Sequence, residues 1–401
     1  MLRNLSVGEL TPKEEIYKRI NSLKKKMAEK GIPLSLIIQN VDLFYFAGTV
    51  QKGALFIPID RDPILFVERN ADRVKYESPL DVIPIKREKE IRDILSEKGI
   101  KGETLGMELD VVPVLVCERW KDILKIRHVV DISNEIKDLR LIKSPFEIEQ
   151  IKKSGEVTAH VLKMAKHHIK ENMTELEIDA ILGAEGRKAG HQGFLRMRGL
   201  NQEMMNVYVT HETTCTIPSA GDVPIAGVGI THAIAQGASI NRIKRGIPVI
   251  LDYGGGYNGY ITDETRCYVI GKLDDFFKKP YEVAKIIVEE TTDFAKEGVN
   301  GIEVFERAIK HVKKAGLEEY FMGHGKGKVS FIGHGLGLEI NELPVITPRH
   351  NVVLQEGMVF AFEPKFIFPG KGATGIEVDF IVRKDRLERV TDFPIDIVYI
   401  D

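Results

Sequence analysis

Residues 251–271 read LDYGGGYNGYITDETRCYVIG and place two aspartates, Asp252 and Asp263, eleven residues apart. Asp252 directly follows the apolar run PVIL, which indicates a buried strand that runs into a turn at the three glycines. A carboxylate at the end of a buried strand loses its hydration, so a cation or hydrogen bonds must compensate it. This stretch therefore predicts a strand that carries a charged site.

Three further segments are each built around one polar residue. His334 lies between glycines in FIGHGLGLE, Glu363 ends the apolar run MVFAFEP, and Glu377 lies in TGIEVDFIV. Near the carboxylates that follow apolar runs, the sequence shows no Lys or Arg in register. Four carboxylates and one imidazole suit a pair of hard divalent ions that share oxygens. Two such ions can activate water and polarise a carbonyl, so the five residues indicate a hydrolase.

The overall composition excludes several other classes of protein. The 401-residue chain has a net charge of −2, so no overall field attracts nucleic acid or an acidic membrane. No apolar run approaches twenty residues, and the first residues lack the apolar core of a signal peptide. We therefore expect a cytoplasmic protein with no nucleic-acid or membrane partner. The three cysteines are far apart and are expected to be small buried hydrophobic residues.

The order of sequence patterns predicts two domains. Residues 1–139 alternate between helical and apolar strand-like segments, which is typical of an α/β domain. Capping patterns predict helix starts at Thr11, Ser144 and Thr174. In the second domain, residues 140–401, helical segments alternate with strands, and MVFAFEPKF and GIEVDFIV are expected to pair antiparallel.

The segments DYGGGYNGYITDETR, GHGLGLEINELP, FEP and GIE resemble the metal-ligand blocks of the pita-bread metallopeptidases, which include prolidase, aminopeptidase P and methionine aminopeptidase. The N-terminal half is similar to the creatinase/prolidase N-terminal domain, which favours the prolidase and aminopeptidase P branch. The resemblance implies an α/β (α+β) fold class. A creatinase-like α/β domain at 1–139 would precede a pita-bread α+β catalytic domain at 140–401.

The same resemblance implies a role for each ligand. Asp263 and Glu377 would bridge two divalent ions, which could be Mn, Co, Fe or Zn. Asp252 would bind one ion, and His334 and Glu363 the other. Glu363 would also handle the proton of a hydroxide that bridges the two ions.

Two positions depart from the family pattern, and one is carried over with a changed spacing. Asn341 stands where the family has a second active-site histidine; its amide can donate a hydrogen bond to a substrate carbonyl but cannot carry a proton as imidazole does. Gly375 stands where the family has an arginine shortly before the last ligand. His232 would be the other active-site histidine, or else a plain loop residue, and its spacing to Asp252 is a few residues longer than expected.

Three polar residues between 196 and 211 are candidates for substrate binding. Arg196, Arg198 and His211 could hold a substrate carboxylate, since arginine offers a bidentate fork; the alternative is an edge strand with solvated charges. Arg266 matches the family's D-x-T-R pattern, and we expect it to have a structural role, fixing the metal-binding aspartate of that pattern from behind.

These features favour a dinuclear metal-dependent hydrolase that cleaves short peptides next to proline, as a dipeptidase or an aminopeptidase. Asn341 and Gly375 keep a second hypothesis open, a non-peptidase enzyme of the same fold that acts on a small amide or osmolyte. A binding module without catalysis is a third alternative, which the complete ligand set disfavours. The resemblance also implies a homodimer.

Overall fold

The computed structural model describes residues 8–401, which form two compact units. The first unit runs to Arg140 and also includes Arg198–Asn201. Its helices are α1 Lys13–Glu29, α2 Asn40–Ala47, α3 Ala71–Glu77, α4 Glu90–Glu97, α5 Val114–Leu124 and α6 Ser133–Leu141, which ends one residue into the second unit. Its strands are β1 Leu34–Ile37, β2 Gly53–Pro58, β3 Ile64–Val67, β4 Asp81–Pro84, β5 Thr104–Met107 and β6 His128–Asp131.

One mixed sheet organises the first unit, with the strand order β4-β3-β2-β1-β5-β6. Strands β1 to β3 are antiparallel neighbours, whereas β4, β5 and β6 join in parallel. The sequence predicted the β2–β3 hairpin from the residues Asp-Arg-Asp between two apolar runs, and the pairing confirms it.

The second unit contains the remaining elements. Its helices are α7 Pro145–His168, α8 Glu175–Lys188, α9 Asp275–Phe294 and α10 Gly301–Ala315, with short 3₁₀ helices at Glu212–Thr216 and Gly325–Gly327. Its strands are β7 Val207–His211, β8 Val249–Tyr257, β9 Tyr260–Ile270, β10 Gly333–Gly335, β11 Glu342–Ile346, β12 Val359–Phe362, β13 Lys365–Phe368, β14 Gly372–Gly375, β15 Val378–Val382, β16 Leu387–Arg389 and β17 Val398–Ile400.

Three sheets build the second unit: β17-β9-β8-β7, β11-β10-β12-β15-β16 and the two-stranded ribbon β13-β14. The predicted antiparallel pairing of the two apolar segments is confirmed, because β12 pairs with β15 in that sense. The same two chain segments then pair again as β13 and β14. Two residues separate β12 from β13, and two separate β14 from β15, so each segment passes from the five-stranded sheet into the ribbon.

The long hairpin of β8 and β9 differs from the prediction in one detail. The sequence placed the turn at the glycine run, but the strand continues through those glycines to Tyr257. The turn falls at Asn258 and Gly259, which both have positive φ, as a two-residue hairpin turn requires. The glycines are needed for packing instead, since a Cβ at Gly255 would lie 2.2 Å from the Thr158 hydroxyl oxygen of α7.

Helix starts follow the local sequence at two of three predicted places. The side chains of Ser144 and Thr174 accept hydrogen bonds from Glu147 and Glu177, and both capping boxes are complete. At the third place the helix forms but its predicted cap does not: α1 begins at Lys13, and the Thr11 hydroxyl has no hydrogen-bond partner among residues 8–401. In the described part of the chain, no helix is long and apolar enough to span a membrane.

Candidate metal centre

The β8–β9 hairpin carries the first two predicted ligands. Its register pairs Asp252 with Thr265 and Gly254 with Asp263. Because side chains alternate between the faces of a strand, Asp252, Thr265 and Asp263 share one face. Because the chain turns at Asn258, Asp252 and Asp263 are neighbours on the hairpin although they are eleven residues apart in the sequence.

His334 lies in β10, between β11 and β12. The glycines on either side allow these strands to approach: a Cβ at Gly333 would lie 2.4 Å from the Ala361 carbonyl oxygen, and one at Gly335 would lie 2.0 Å from that of Leu343. The Nδ1 atom of His334 lies 3.3 Å from the Gly335 carbonyl oxygen, which can only accept, so Nδ1 carries a proton and Nε2 faces the carboxylates.

The two glutamates occupy matching positions at the junction between the five-stranded sheet and the β13-β14 ribbon. Glu363 lies between β12 and β13, and Glu377 lies between β14 and β15. Both side chains are buried, with relative exposures of 3% and 1%. Two carboxylates therefore lie at the junction of the five-stranded sheet and the ribbon, close to the face that carries Asp263.

Three of the five predicted ligands, Asp263, His334 and Glu377, place donor atoms within 4.8 Å of one another, and a fourth, Glu363, lies beside His334. The Nε2 atom of His334 lies 3.8 Å from Asp263 Oδ2, 3.8 Å from Glu377 Oε1 and 3.9 Å from Glu363 Oε1. These separations are too long for hydrogen bonds but suit ligands around a shared cation. Asp263 Oδ1 is buried and has no hydrogen-bond partner among residues 8–401. This orphaned oxygen and the mixed oxygen and nitrogen donors fit a divalent metal ion.

Burial and mutual repulsion raise the pKa values of two of these acids. Desolvation, followed by the charges of Glu377 and Asp252, raises the pKa of Asp263 well above its ordinary value. Desolvation also raises the pKa of Glu377 to about 8, although Lys365 partly opposes the shift. The cluster is thus short of positive charge as it stands, which a metal ion would supply.

Lys365 is the residue that the sequence reasoning missed. Its Nζ atom lies 2.6 Å from Glu377 Oε2, 2.9 Å from Glu363 Oε2 and 3.1 Å from Asp252 Oδ2. The expectation that no lysine or arginine neutralises these carboxylates is therefore wrong. Burial opposes the charge on the ammonium, but Asp252, Glu363 and Glu377 outweigh it and raise the pKa of Lys365 well above its ordinary value. Asp252 belongs to this group and not to the four donors around His334.

Residues behind the ligands hold them in place. The Thr265 hydroxyl donates to Glu377 Oε2 at 2.7 Å, and the Asp263 backbone N–H donates to Asp379 at 2.7 Å. Arg266 is fully buried and donates to the backbone carbonyl of Glu377 at 2.6 Å. Arg266 thus supports the segment of Glu377, whereas the sequence led us to expect support of the aspartate.

The other predicted residues lie in different surroundings. Asn341 is exposed, and its neighbour Ile340 donates a backbone hydrogen bond to the Arg196 carbonyl, so these two segments are adjacent. Arg196 itself lies over the ring of Phe194, 5.6 Å from its centroid. His232 lies in an exposed turn that is closed by a bridge between Thr231 and Ile234.

Two candidates for substrate binding have structural partners instead. Arg198 belongs to the first unit, where its guanidinium binds Asp110 at 2.7 and 2.8 Å and Asp42 at 2.9 Å. His211 is fully buried, with Nδ1 3.1 Å from the Pro248 carbonyl oxygen and Nε2 accepting from the Lys244 N–H at 3.0 Å. Both side chains are committed to these contacts, so we no longer place them in the substrate site.

The fold and this site define a class, that of metal-dependent hydrolases with a carboxylate and histidine centre. Residues 149–384 match the family model of metallopeptidase family M24, and residues 19–142 match that of the creatinase/prolidase N-terminal domain. The chain belongs to metallopeptidase family M24.

Similar proteins agree with this assignment. An Xaa-Pro dipeptidase of Pyrococcus furiosus is 30% identical over 93% of this chain and 97% of its own length. The crystal structure of the prolidase from Pyrococcus horikoshii has a TM-score of 0.80 at 25% identity, with 95% of this chain and 100% of that chain covered. The X-Pro aminopeptidase from Thermotoga maritima has a TM-score of 0.78 at 25% identity, with 95% and 99% covered. The predicted α/β fold class, with a creatinase-like domain before a pita-bread domain, is confirmed, as is the prolidase and aminopeptidase P branch.

Proposed function

We propose that this protein is a metal-dependent peptidase that cleaves short peptides next to proline. The observation that carries the proposal is the group of donors formed by Asp263, His334 and Glu377, with Glu363 beside His334 and an orphaned carboxylate oxygen on Asp263. Its relatives named Xaa-Pro dipeptidase support the choice of substrate.

The four donors would hold a divalent ion, which when bound supplies a Lewis acid for the substrate carbonyl and lowers the pKa of a water molecule. The residues of the chain position the reaction around it. Glu363 directs Oε1 towards the donor cluster while Oε2 accepts from Lys365, so its orientation is fixed. A carboxylate held in this way can take a proton from the attacking water and pass it to the departing amine.

A second ion, which the family resemblance implies, fits the donor set less well. It would need the carboxylates of Asp252, Glu363 and Glu377 on the side where the Lys365 ammonium already binds all three. The proposed function therefore requires the ion between Asp263 and His334, and no step in it depends on a second one.

Three other predicted residues remain our candidates for contact with the substrate: Arg196, His232 and Asn341. Arg196 and Asn341 are supported by the backbone hydrogen bond that joins their segments. Substitution of Arg196 by methionine is expected to raise KM more than it lowers kcat if the guanidinium binds the peptide and does not take part in the reaction.

The test is hydrolysis of Xaa-Pro dipeptides and of tripeptides that contain an Xaa-Pro bond, after loading with Mn or Co. Matched peptides with alanine in place of proline are the control for specificity, and Asp263→Asn is the control for contaminating peptidases. Turnover of the proline peptides alone supports the proposal. Metal-loaded protein that cleaves none of these peptides would contradict it.

One set of observations favours a second candidate, a hydrolase of the same family that acts on a small amide. Asn341 replaces a histidine, Gly375 replaces an arginine, and Lys365 lies among the ligands. The first two positions depart from the peptidases that the chain resembles, and the third changes the charge around the ligands. A metabolite screen that gives a turnover number far above that of any dipeptide would favour this candidate.

A further inference from the structure

We propose that the ammonium group of Lys365 occupies the place of a second metal ion, so that the centre binds one divalent ion per chain. The inference rests on the proposed function in that it concerns the same site. The inference goes beyond the proposed function because it assigns to the Lys365 side chain the role that a second ion has in two-metal sites.

The first argument is the position of the ammonium. The Nζ atom lies 2.6 to 3.1 Å from one oxygen each of Glu377, Glu363 and Asp252. Metal ions bind carboxylate oxygens at roughly 2.0 to 2.6 Å, so an ion bound to the same three oxygens would overlap Nζ. The opposite oxygens, Glu363 Oε1 and Glu377 Oε1, face His334. The two glutamates thus each bind the ammonium with one oxygen and leave the other for a single ion.

The ribbon holds Lys365 in a confined place. Lys365 in β13 pairs directly with Gly375 in β14. A Cβ at Gly375 would lie 2.7 Å from both Cα and Cγ of Lys365, closer than any real contact of this kind. The clash with Cα would arise with any residue at position 365, so the glycine permits the close approach of the two strands that carries the lysine into the cluster. The side chain of Lys365 is only 3% exposed, so it has no path to swing into solvent while the ribbon is intact.

Charge also disfavours a second ion. Metal ligation requires ionised carboxylates, and in that state Asp252, Asp263, Glu363 and Glu377 carry four negative charges against the one positive charge of Lys365. One divalent ion brings the net charge to −1 and two bring it to +1, so the repulsion between a second ion and the neighbouring ammonium decides, and not the net charge. A buried group of like charges is unfavourable, and the ammonium lies 2.6 Å from an oxygen that a second ion would use.

The experiment counts metal ions per folded chain by mass spectrometry after equilibration with excess Mn²⁺ and removal of unbound ions. We expect about one ion per chain for the wild-type protein and about two for Lys365→Ala, in which three carboxylates lose their cation. The matched control is Lys143→Ala. Lys143 is equally buried and pairs with Glu342 at 3.2 Å, but it touches none of the ligands, so the count should stay at one.

Electron paramagnetic resonance of the bound Mn²⁺ gives a second readout. Isolated Mn²⁺ in the wild-type protein should give the six-line spectrum of a single ion, and Lys365→Ala should give the broadened spectrum of two coupled ions. Two ions in the wild-type protein would overturn the inference, even if the alanine variant failed to fold. One ion in a folded Lys365→Ala protein would also overturn it, because another feature would then exclude the second ion.

These outcomes separate the inference from the proposed function. Two ions in an active wild-type peptidase would remove the inference and leave the function intact. One ion without turnover of any peptide would remove the function and leave the inference intact. A wild-type protein that binds no ion would contradict both.

Discussion

Each unit of this protein buries a cluster of carboxylates, and the two clusters differ in what neutralises them. In the first unit, Asp42 is fully buried and accepts hydrogen bonds at 2.9 Å from both Arg140 and Arg198. In the second unit, three carboxylates bind the single ammonium of Lys365, and the fourth, that of Asp263, keeps a buried oxygen without a hydrogen bond to any residue from 8 to 401. The first cluster supplies its own cations, whereas the second is short of positive charge.

The pKa values show the same contrast. Burial opposes ionisation of Asp110 in the first unit, but Arg198 outweighs it and lowers the pKa to about 2. Nearby Glu108 has no such partner, and burial followed by the charge of Asp42 raises its pKa to about 8. In the second unit burial prevails at both Asp263 and Glu377. Glu108 shows that a raised pKa alone does not indicate a ligand, whereas in the second unit several donors without an arginine also gather around one histidine.

The largest effect should come from removing a donor of the second cluster. His334→Ala takes away the only nitrogen among the four donors around the proposed ion. We expect the metal content to fall well below one ion per chain and hydrolysis to fall on the order of 1,000-fold, since a metal ion supplies several kcal/mol of stabilisation. Metal analysis and steady-state kinetics measure both. His324→Ala, a loop histidine that contacts the Thr216 carbonyl, is the matched control and should change neither.

The first cluster should respond in stability and not in metal content. Arg140→Met leaves the fully buried Asp42 with one arginine in place of two, and is expected to cost about 3 to 5 kcal/mol of unfolding free energy. Urea unfolding followed by Trp120 fluorescence reports on this unit, because Trp120 is buried in its core. Arg73→Met breaks the more exposed pair with Glu77 and should cost less than about 1 kcal/mol. Equal losses from both variants would contradict the comparison.

Local sequence patterns were sufficient for much of the second unit. The apolar alternation around Glu363 and Glu377 predicted two antiparallel strands, and Ser144 and Thr174 marked helix starts, because these features depend on neighbouring residues. The helix predicted after Thr11 is present from Lys13, but the predicted cap is absent, since the Thr11 hydroxyl has no hydrogen-bond partner in the described part of the chain.

Lys365 shows where such reasoning stops. The lysine follows Glu363 by two residues, so strand alternation alone would have placed both on one face. Its contact with Asp252 spans 113 residues and arises only when the β13–β14 ribbon meets the β8–β9 hairpin. Local sequence patterns did not predict which distant segments pair, and they did not predict the strand order of either unit.

Two histidines of the second unit differ in the charge of the groups around them. His334 faces carboxylates, whereas His211 is enclosed by backbone groups, and burial lowers its pKa to about 4. The unfolded chain takes up this proton near pH 6.5 and the folded chain only near pH 4, so stability should fall as the pH drops between these values. The contribution is about 2 to 3 kcal/mol. Urea midpoints at pH 7 and 4.5 measure it, and His211→Asn should flatten the difference. An unchanged pH slope in this variant would show that His211 is not the group responsible.

The smallest expected effect tests how the second cluster is held. Thr265→Val keeps the shape of the side chain but removes the hydrogen bond to Glu377 Oε2. Loss of such a supporting contact should weaken Mn²⁺ binding roughly 10-fold, which isothermal titration calorimetry can resolve. Thr262→Val is the matched control on the same strand: its hydroxyl contacts only Ser154 and Thr158 at 2.9 Å, so stability falls but affinity does not. If both variants bind Mn²⁺ equally well, the hydrogen bond to Glu377 serves folding alone, and the distinction between a completed cluster and a ligand-binding one does not extend beyond the ligands themselves.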